Sequence, residues 1–307
     1  MPSPKEIRQQ ITDTIIKSLE SNELPPWRCG WRRDPNAGIA RNIVSQKAYR
    51  GINPWLCQIA SHTHGFQSKW WGTFNQWRNL QGSVQKRPSH VKPGEWGTKI
   101  VFWSPITKTK TDEQGNETEN RFFMLKTFTI FNIDQIDGNH LDDLRVGHAE
   151  ETGNEIERYE NAEAVIAATK ADIRFGSQAF YQPEQDFIQL PERHSFESSE
   201  AFYETAFHEL AHWTEHESRL NWDRSKPENS YALGELIAEL SSCFLMGELG
   251  LATTEDLTNH SAYVKGWLKA MKNDVSFVFR ASGQANKAVD YLLNLSDQPV
   301  EEPVLAV

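Results

Sequence analysis

Cysteine is scarce in this 307-residue chain: Cys29, Cys57 and Cys243 are the only three, and no two form a Cys-x-x-Cys pair. An odd, scattered set excludes a disulfide framework and a thiolate-ligated zinc centre, and it suits a reducing cytosol. Long apolar runs are missing too. With no stretch of about 18 uncharged apolar residues, no membrane-spanning helix is expected, and the expected location is cytoplasmic. The opening MPSPKEIRQQ leads into a charged amphipathic segment without an apolar h-region, so no signal peptide is expected. Internal repeats and low-complexity tracts are lacking as well. What remains, 38% apolar and 24% charged residues, is the balance of a folded soluble protein. The length exceeds the needs of one ordinary core, so two domains are expected.

The charge is unevenly placed. Residues 1–110 carry 17 Lys and Arg against 6 Asp and Glu, a balance of +11, whereas residues 111–307 carry 15 against 36, a balance of −21. Tryptophan divides the same way: eight of eleven (Trp27, Trp31, Trp55, Trp70, Trp71, Trp77, Trp96 and Trp103) lie in the basic part. Cations neutralise phosphates, and flat rings stack on unpaired bases, at about 1–3 kcal/mol per base. The basic part is therefore expected to bind single-stranded DNA, with double-stranded DNA as a second candidate. Arg32, Arg33, Arg50, Lys69, Trp70 and Trp71 are the candidate contacts. The competing reading of any single Trp is a core side chain.

Ile7, Ile11, Ile15 and Leu19 recur at helical spacing and predict a helix over 5–21, ended by Leu24-Pro25-Pro26-Trp27. Asn53-Pro54 predicts a helix to about His62, with Asn53 as N-cap. Thr73–Leu80 reads as a short capped helix closed by Gly82. Lys99–Trp103 and Phe122–Phe131 read as strands, and the polar stretch 107–121 as a long hairpin loop. Residues 1–138 thus form an α+β domain. An acidic, weakly patterned linker follows over 139–158. The second domain, 159–295, opens with a helix (Asn161–Thr169) and three short strands (Asp172–Phe175, Ala179–Gln182, Asp186–Leu190). Helices follow over 198–215, 231–249, 258–272 and 284–294. The acidic tail 296–307 is expected to be mobile.

The helix from Ser198 contains His208-Glu209-Leu210-Ala211-His212, an H-E-x-x-H. Positions i and i+4 share a helix face, so both imidazoles can hold one metal ion while Glu209 sits beside the open coordination position. One Zn²⁺ per chain is expected, with Glu209 as general base. Apolar neighbours (Ala206, Phe207, Leu210, Ala211, Trp213) argue that this helix is buried, where His and Glu without a task would be costly. A third His six positions after His212 would mark a metzincin, but Ser218 stands there. Instead, Glu235 and Glu239 fall on one face of an apolar helical pattern from Tyr231 to Leu240. Glu235 is the candidate third ligand and Glu239 a support for the His208 ring. Exchange of those two roles, or His216 as ligand, are the alternatives. Tyr181–Leu190 could pair with an extended peptide substrate. Tyr181 is an alternative electrophile at the site, with packing as the simpler role.

On these residues the chain resembles the ArdC-type antirestriction proteins of conjugative plasmids and phage-like elements. In the first part the resemblance rests on Pro25-Pro26-Trp27, Arg50-Gly51-Ile52-Asn53, Trp70, Trp103 and Phe131-Asn132-Ile133-Asp134-Gln135. In the second it rests on His208–Thr214 and Tyr231–Leu240. It implies a single-stranded DNA-binding domain followed by a zincin-like metallopeptidase domain, and protection of incoming DNA from restriction. It implies no particular protein substrate. A DNA-coating protein with a merely structural zinc, and a zinc peptidase whose basic domain binds protein, are the competing readings.

Overall fold

In the computed structural model, residues 3–21, 34–111, 117–148, 155–222, 230–253 and 261–296 are described; the side chains of 103–111, 117–124, 155–158, 230, 261 and 262 are not. Arg32, Arg33, Trp27, Trp31, Cys29 and the tail 297–307 lie outside the described residues, and so does the side chain of Trp103.

Helix α1 (Pro4–Glu20) opens with a capping box: Ser3 Oγ accepts from Glu6 N–H, and Glu6 accepts from Ser3 N–H at 2.6 Å. Its Ile7, Ile11, Ile15 and Leu19 are all buried, as their spacing predicts. Strands β1 (Arg41–Asn42), β2 (Trp70–Thr73), β4 (Thr98–Thr111) and β5 (Glu117–Asn132) form one sheet in the order β1-β2-β5-β4. Helices α2 (Asn53–His64) and α3 (Phe74–Asn79) accompany it, and β3 (Ser83–Val84) pairs with β6 (Ile136–Asp137).

Three local expectations need correction. The polar 107–121 stretch is mostly strand: β4 and β5 pair in register from Thr98↔Ile130 to Thr111↔Glu117. Thr107, Thr109 and Thr111 alternate with lysines, and β-branched residues in a period of two favour strand over loop. Asn53 is not an N-cap. Ile52 occupies that position without a side-chain cap, while the Asn53 amide donates to Val101 O (2.8 Å) and accepts from Val101 N–H (2.9 Å). It thereby satisfies part of the free edge of β4. The 139–158 segment begins as ordered chain. Asn139–Leu144 is a 3₁₀ helix with Leu141 buried, and Asp143 and Arg145 carbonyls accept from the Asn36 amide.

Beyond this, α4 (Glu155–Thr169) leads to a three-stranded sheet of β7 (Asp172–Phe175), β8 (Phe180–Gln182) and β9 (Phe187–Leu190). The order is β7-β9-β8, with β7 parallel and β8 antiparallel to β9, so β8 is an edge strand. Helices α5 (Ser199–Thr214), α6 (Ser230–Glu248), α7 (Ser261–Asn273) and α8 (Phe277–Ser296) complete the chain. Among the described residues no helix is long and apolar enough to cross a membrane.

The architecture is α+β with two domains, but the largest core crosses between them. Ile7, Ile11, Ile15 and Leu19 of α1 and Trp55 of α2 belong to the same buried cluster as Phe207, Leu236, Phe244 and Leu292. Thr12 donates to Val275 O, and Lys272 pairs with Glu20 at 2.5 Å, so α1 is fixed to the C-terminal helices. A second cluster, around Trp71, Cys57, Ile100 and Ile130, fills the space between α2 and the N-terminal sheet.

Candidate metal centre and nucleic-acid face

Helix α5 begins where expected, with Ser198 Oγ accepting from Ala201 N–H at 3.1 Å. Its apolar face, with Phe207 and Leu210 fully buried, packs on Leu236, Ile237 and Leu240 of α6. That packing sets the two helices so that His208, His212 and Glu235 each offer a ligand atom within 4.8 Å of the others. Glu235 bridges the imidazoles: its carboxylate oxygens lie 3.6 Å from His208 Nε2 and 3.8 Å from His212 Nε2. Glu239, one turn further along α6, is buried and close enough for its charge to act on His208. His216 is not part of the group; its Nδ1 lies 2.8 Å from Ser218 Oγ.

The electrostatics follow from burial and mutual charge. Burial alone would lower the His208 pKa, but its hydrogen bond with Glu235 and the charges of Glu209, Glu239 and Glu235 lift it to about 8. Burial pushes Glu235 up, and the His208 hydrogen bond and both imidazoles more than reverse this. Glu209 is only 7% exposed. Burial raises its pKa above the ordinary carboxylate range, although both histidines and a hydrogen bond from the Tyr181 backbone oppose the shift. Three buried carboxylates around two imidazoles leave a net negative pocket when the rings are neutral. Two ring nitrogens and a carboxylate oxygen, with two more buried carboxylates outside the set, suit a divalent metal ion.

Two groups near the centre were not singled out from the sequence. Tyr231 donates its hydroxyl proton to the Glu235 carboxylate, and the Tyr231 and Tyr263 hydroxyl oxygens lie 3.4 Å apart. Tyr231 precedes Glu235 by four positions, one helical turn, which could have flagged it. Tyr263 is brought in by tertiary packing alone. Tyr181 contributes its backbone rather than its phenol, which is engaged with Asp186 (2.8 Å) and Arg219 (3.1 Å).

The expected DNA contacts are dispersed. Trp71 is 1% exposed and forms core with Cys57, Ile100 and Ile130, so it presents no ring face to a base. Trp70 is half-buried: its indole N–H donates to Asn36 Oδ1, and Lys69 Nζ stands 5.0 Å from the ring. Burial and the nearby Arg41 lower the Lys69 pKa. Arg50 reaches across to Asp290 of α8 at 2.6 Å. Among the described residues of the N-terminal part, the exposed rings are Phe74, Phe102 and Phe128, the last two an edge-to-face pair 6.4 Å apart on the β4–β5 hairpin. Exposed Lys126 stands directly opposite Phe102 and so shares its face of the hairpin, whereas exposed Lys99, three positions before Phe102, points to the other face.

Residues 5–131 match the family described as the N-terminal domain of anti-restriction factor ArdC, and residues 160–284 match a zincin-like metallopeptidase family. The y4eC protein of Sinorhizobium fredii (strain NBRC 101917 / NGR234) is 33% identical, with 94% of this chain and 92% of that one aligned. The metal-free crystal structure of the antirestriction ArdC protein from plasmid R388 superposes with a TM-score of 0.74. It is 35% identical, covering 95% of this chain and 98% of that one. The chain belongs to the ArdC antirestriction family. The Mn(II)-bound structure of the same R388 ArdC protein superposes with a TM-score of 0.71 at 34% identity. A DNA primase TraC of Escherichia coli is 35% identical over 97% of this chain, but this chain spans only 28% of that primase. The ArdC-like region is therefore also found within a longer protein.

Proposed function

We propose that this ArdC-family protein binds single-stranded DNA through its basic N-terminal part and hydrolyses peptide bonds at a zinc centre formed by His208, His212 and Glu235. Glu209 is the observation that carries the enzymatic reading. A structural zinc site has no need of a buried carboxylate beside the ligands, and usually closes with a fourth protein ligand. Glu209 is buried between two ligand histidines, held towards its neutral form, and steadied by the Tyr181 backbone. A bound zinc ion supplies Lewis acidity that brings the pKa of its water to about 7. Glu209 accepts a proton at its carboxylate and returns it to the leaving amine. A carboxyl group with a raised pKa suits that two-way transfer. Edge strand β8 runs beside Glu209 and offers its backbone to an extended peptide by strand addition.

Glu209→Gln tests this reading. Metal content, thermal midpoint and DNA binding should stay as in the parent protein, while proteolysis of DNA-bound proteins stops. Continued proteolysis at the parental rate would remove Glu209 from the chemistry. A second reading makes DNA coating the means of protection and leaves the metal to hold the fold. It is favoured by the solvent-facing Phe102–Phe128 pair, with Lys126 on the same face. In a conjugal transfer assay, full protection by Glu209→Gln would select coating, and loss of protection with DNA binding intact would select hydrolysis.

A further inference from the structure

A cleft of about 340 Å³ lies where the two parts of the chain meet, on the side of α8 that carries Gly283. It is lined by Arg8 of α1, Arg50 from the loop before α2, and Arg280 of α8. Among the described residues no acidic side chain lines it, although the C-terminal part is strongly acidic overall. Each arginine has a polar partner within the protein. Arg50 pairs with Asp290 at 2.6 Å, Arg280 with Asp274 at 2.7 Å, and Arg8 reaches Ser276 Oγ at 3.4 Å. Both ion pairs are about half exposed, so the guanidinium groups keep donors available to a further partner. Phe279 and Val101 supply an apolar wall, and Gly283 leaves a gap in which an added Cβ would meet nothing within 4 Å.

We propose that this cleft binds one phosphate-bearing nucleotide unit, either a free nucleotide or the phosphorylated end of a DNA strand. Converging guanidinium groups recognise phosphate oxygens by paired, charge-assisted hydrogen bonds. The apolar wall beside them suits a flat base. The volume is at the small end of ligand pockets, which run from about 300 Å³, and so admits a single unit. Residues from α1, the α2 approach and α8 all take part, so the ligand would bridge the two parts of the chain. The site is independent of the metal centre, and in its strand-end form it rests on the DNA-binding reading above.

Isothermal titration of the full chain distinguishes the sources. The probes are deoxyadenosine monophosphate, inorganic phosphate, and one short oligodeoxynucleotide with a 5′-phosphate or a 5′-hydroxyl. The variants are Arg280→Gln, which removes a cation, and Gly283→Leu, which fills the gap while improving helix propensity. For a free-nucleotide site, the monophosphate binds more tightly than inorganic phosphate, and both variants weaken it about tenfold or more. For a strand-end site, only the 5′-phosphorylated oligonucleotide gains affinity over its 5′-hydroxyl form, and both variants abolish that gain. The proposal falls if inorganic phosphate binds as well as the monophosphate and a 5′-phosphate gives the strand no gain, or if no probe responds to either variant while the thermal midpoint is unchanged. Binding of the 5′-hydroxyl strand reports the DNA face separately, so failure of the cleft and failure of that face are told apart.

Discussion

Glu235 and Glu239 are one helical turn apart and both buried, yet only Glu235 comes within ligand distance of both imidazoles. Their substitutions should therefore differ in kind. Glu235→Ala should lose the metal, as should His208→Ala, with a lower thermal midpoint because metal binding and folding are linked. Glu239→Gln should retain metal with affinity reduced about 10–100-fold, the usual effect of disturbing a ligand's support. Metal analysis after dialysis, with competition against a chelator, separates these outcomes; undiminished metal in Glu235→Ala would give the ligand role to Glu239. The aromatic residues divide on the same principle. Trp71→Ala empties a fully packed site and should cost about 3–5 kcal/mol of stability in denaturant unfolding. Phe102→Ala should leave stability nearly unchanged and weaken single-stranded DNA binding by about 1–3 kcal/mol. Fluorescence titration that finds Phe102→Ala binding like the parent would remove the hairpin pair from the DNA face. The H-E-x-x-H and the Glu235 spacing were readable because they follow helical periodicity, which a sequence displays directly. Which tryptophan faces solvent was not, because Trp70 and Trp71 are neighbours with different surroundings and only the tertiary packing decides between them.

At the level of elements, periodic segments were legible and their edges were not. Helix α1 follows from four apolar residues at a spacing of four, and α5 from its Ser198 cap. The outer part of the β4–β5 hairpin was hidden by its polar sequence, since backbone pairing alone can carry a strand with few apolar residues. Asn53 shows a further limit. Asn before Pro is a good helix opening by local rules, but the amide finds two backbone partners on β4 that no local rule contains. Asn53→Ala leaves Val101 N–H and C=O without those partners and should destabilise the protein by about 1–3 kcal/mol. Asn53→Asp keeps the acceptor alone and should fall between alanine and the parent. Chemical denaturation measures both, and a neutral Asn53→Ala would mean that water replaces the clip at no cost.

For the whole molecule, the charge division marks the boundary between the parts more clearly than the packing does. The basic and acidic portions were evident from composition, and the family matches at 5–131 and 160–284 follow the same division. That α1 sits in the C-terminal core could not be read, because its apolar stripe would fit any complementary surface. The shared core predicts that the chain unfolds as one unit. Calorimetry should show a single transition, raised by added metal as mass action requires. Two well-separated transitions would mean that the α1 contacts contribute little to cooperativity.

Thr12 and Val275, which hydrogen-bond in the finished fold, are 263 residues apart in the chain. At a synthesis rate of about 5–20 residues per second, roughly 13–50 s pass between their appearance. Throughout that interval Ile7, Ile11, Ile15 and Leu19, among the first residues made, lack the part of their packing that α7 supplies, although α2 and β5 touch α1 much earlier. The nascent chain must therefore carry a partly uncovered apolar stripe until α7 emerges, a period in which incomplete chains are most exposed to aggregation.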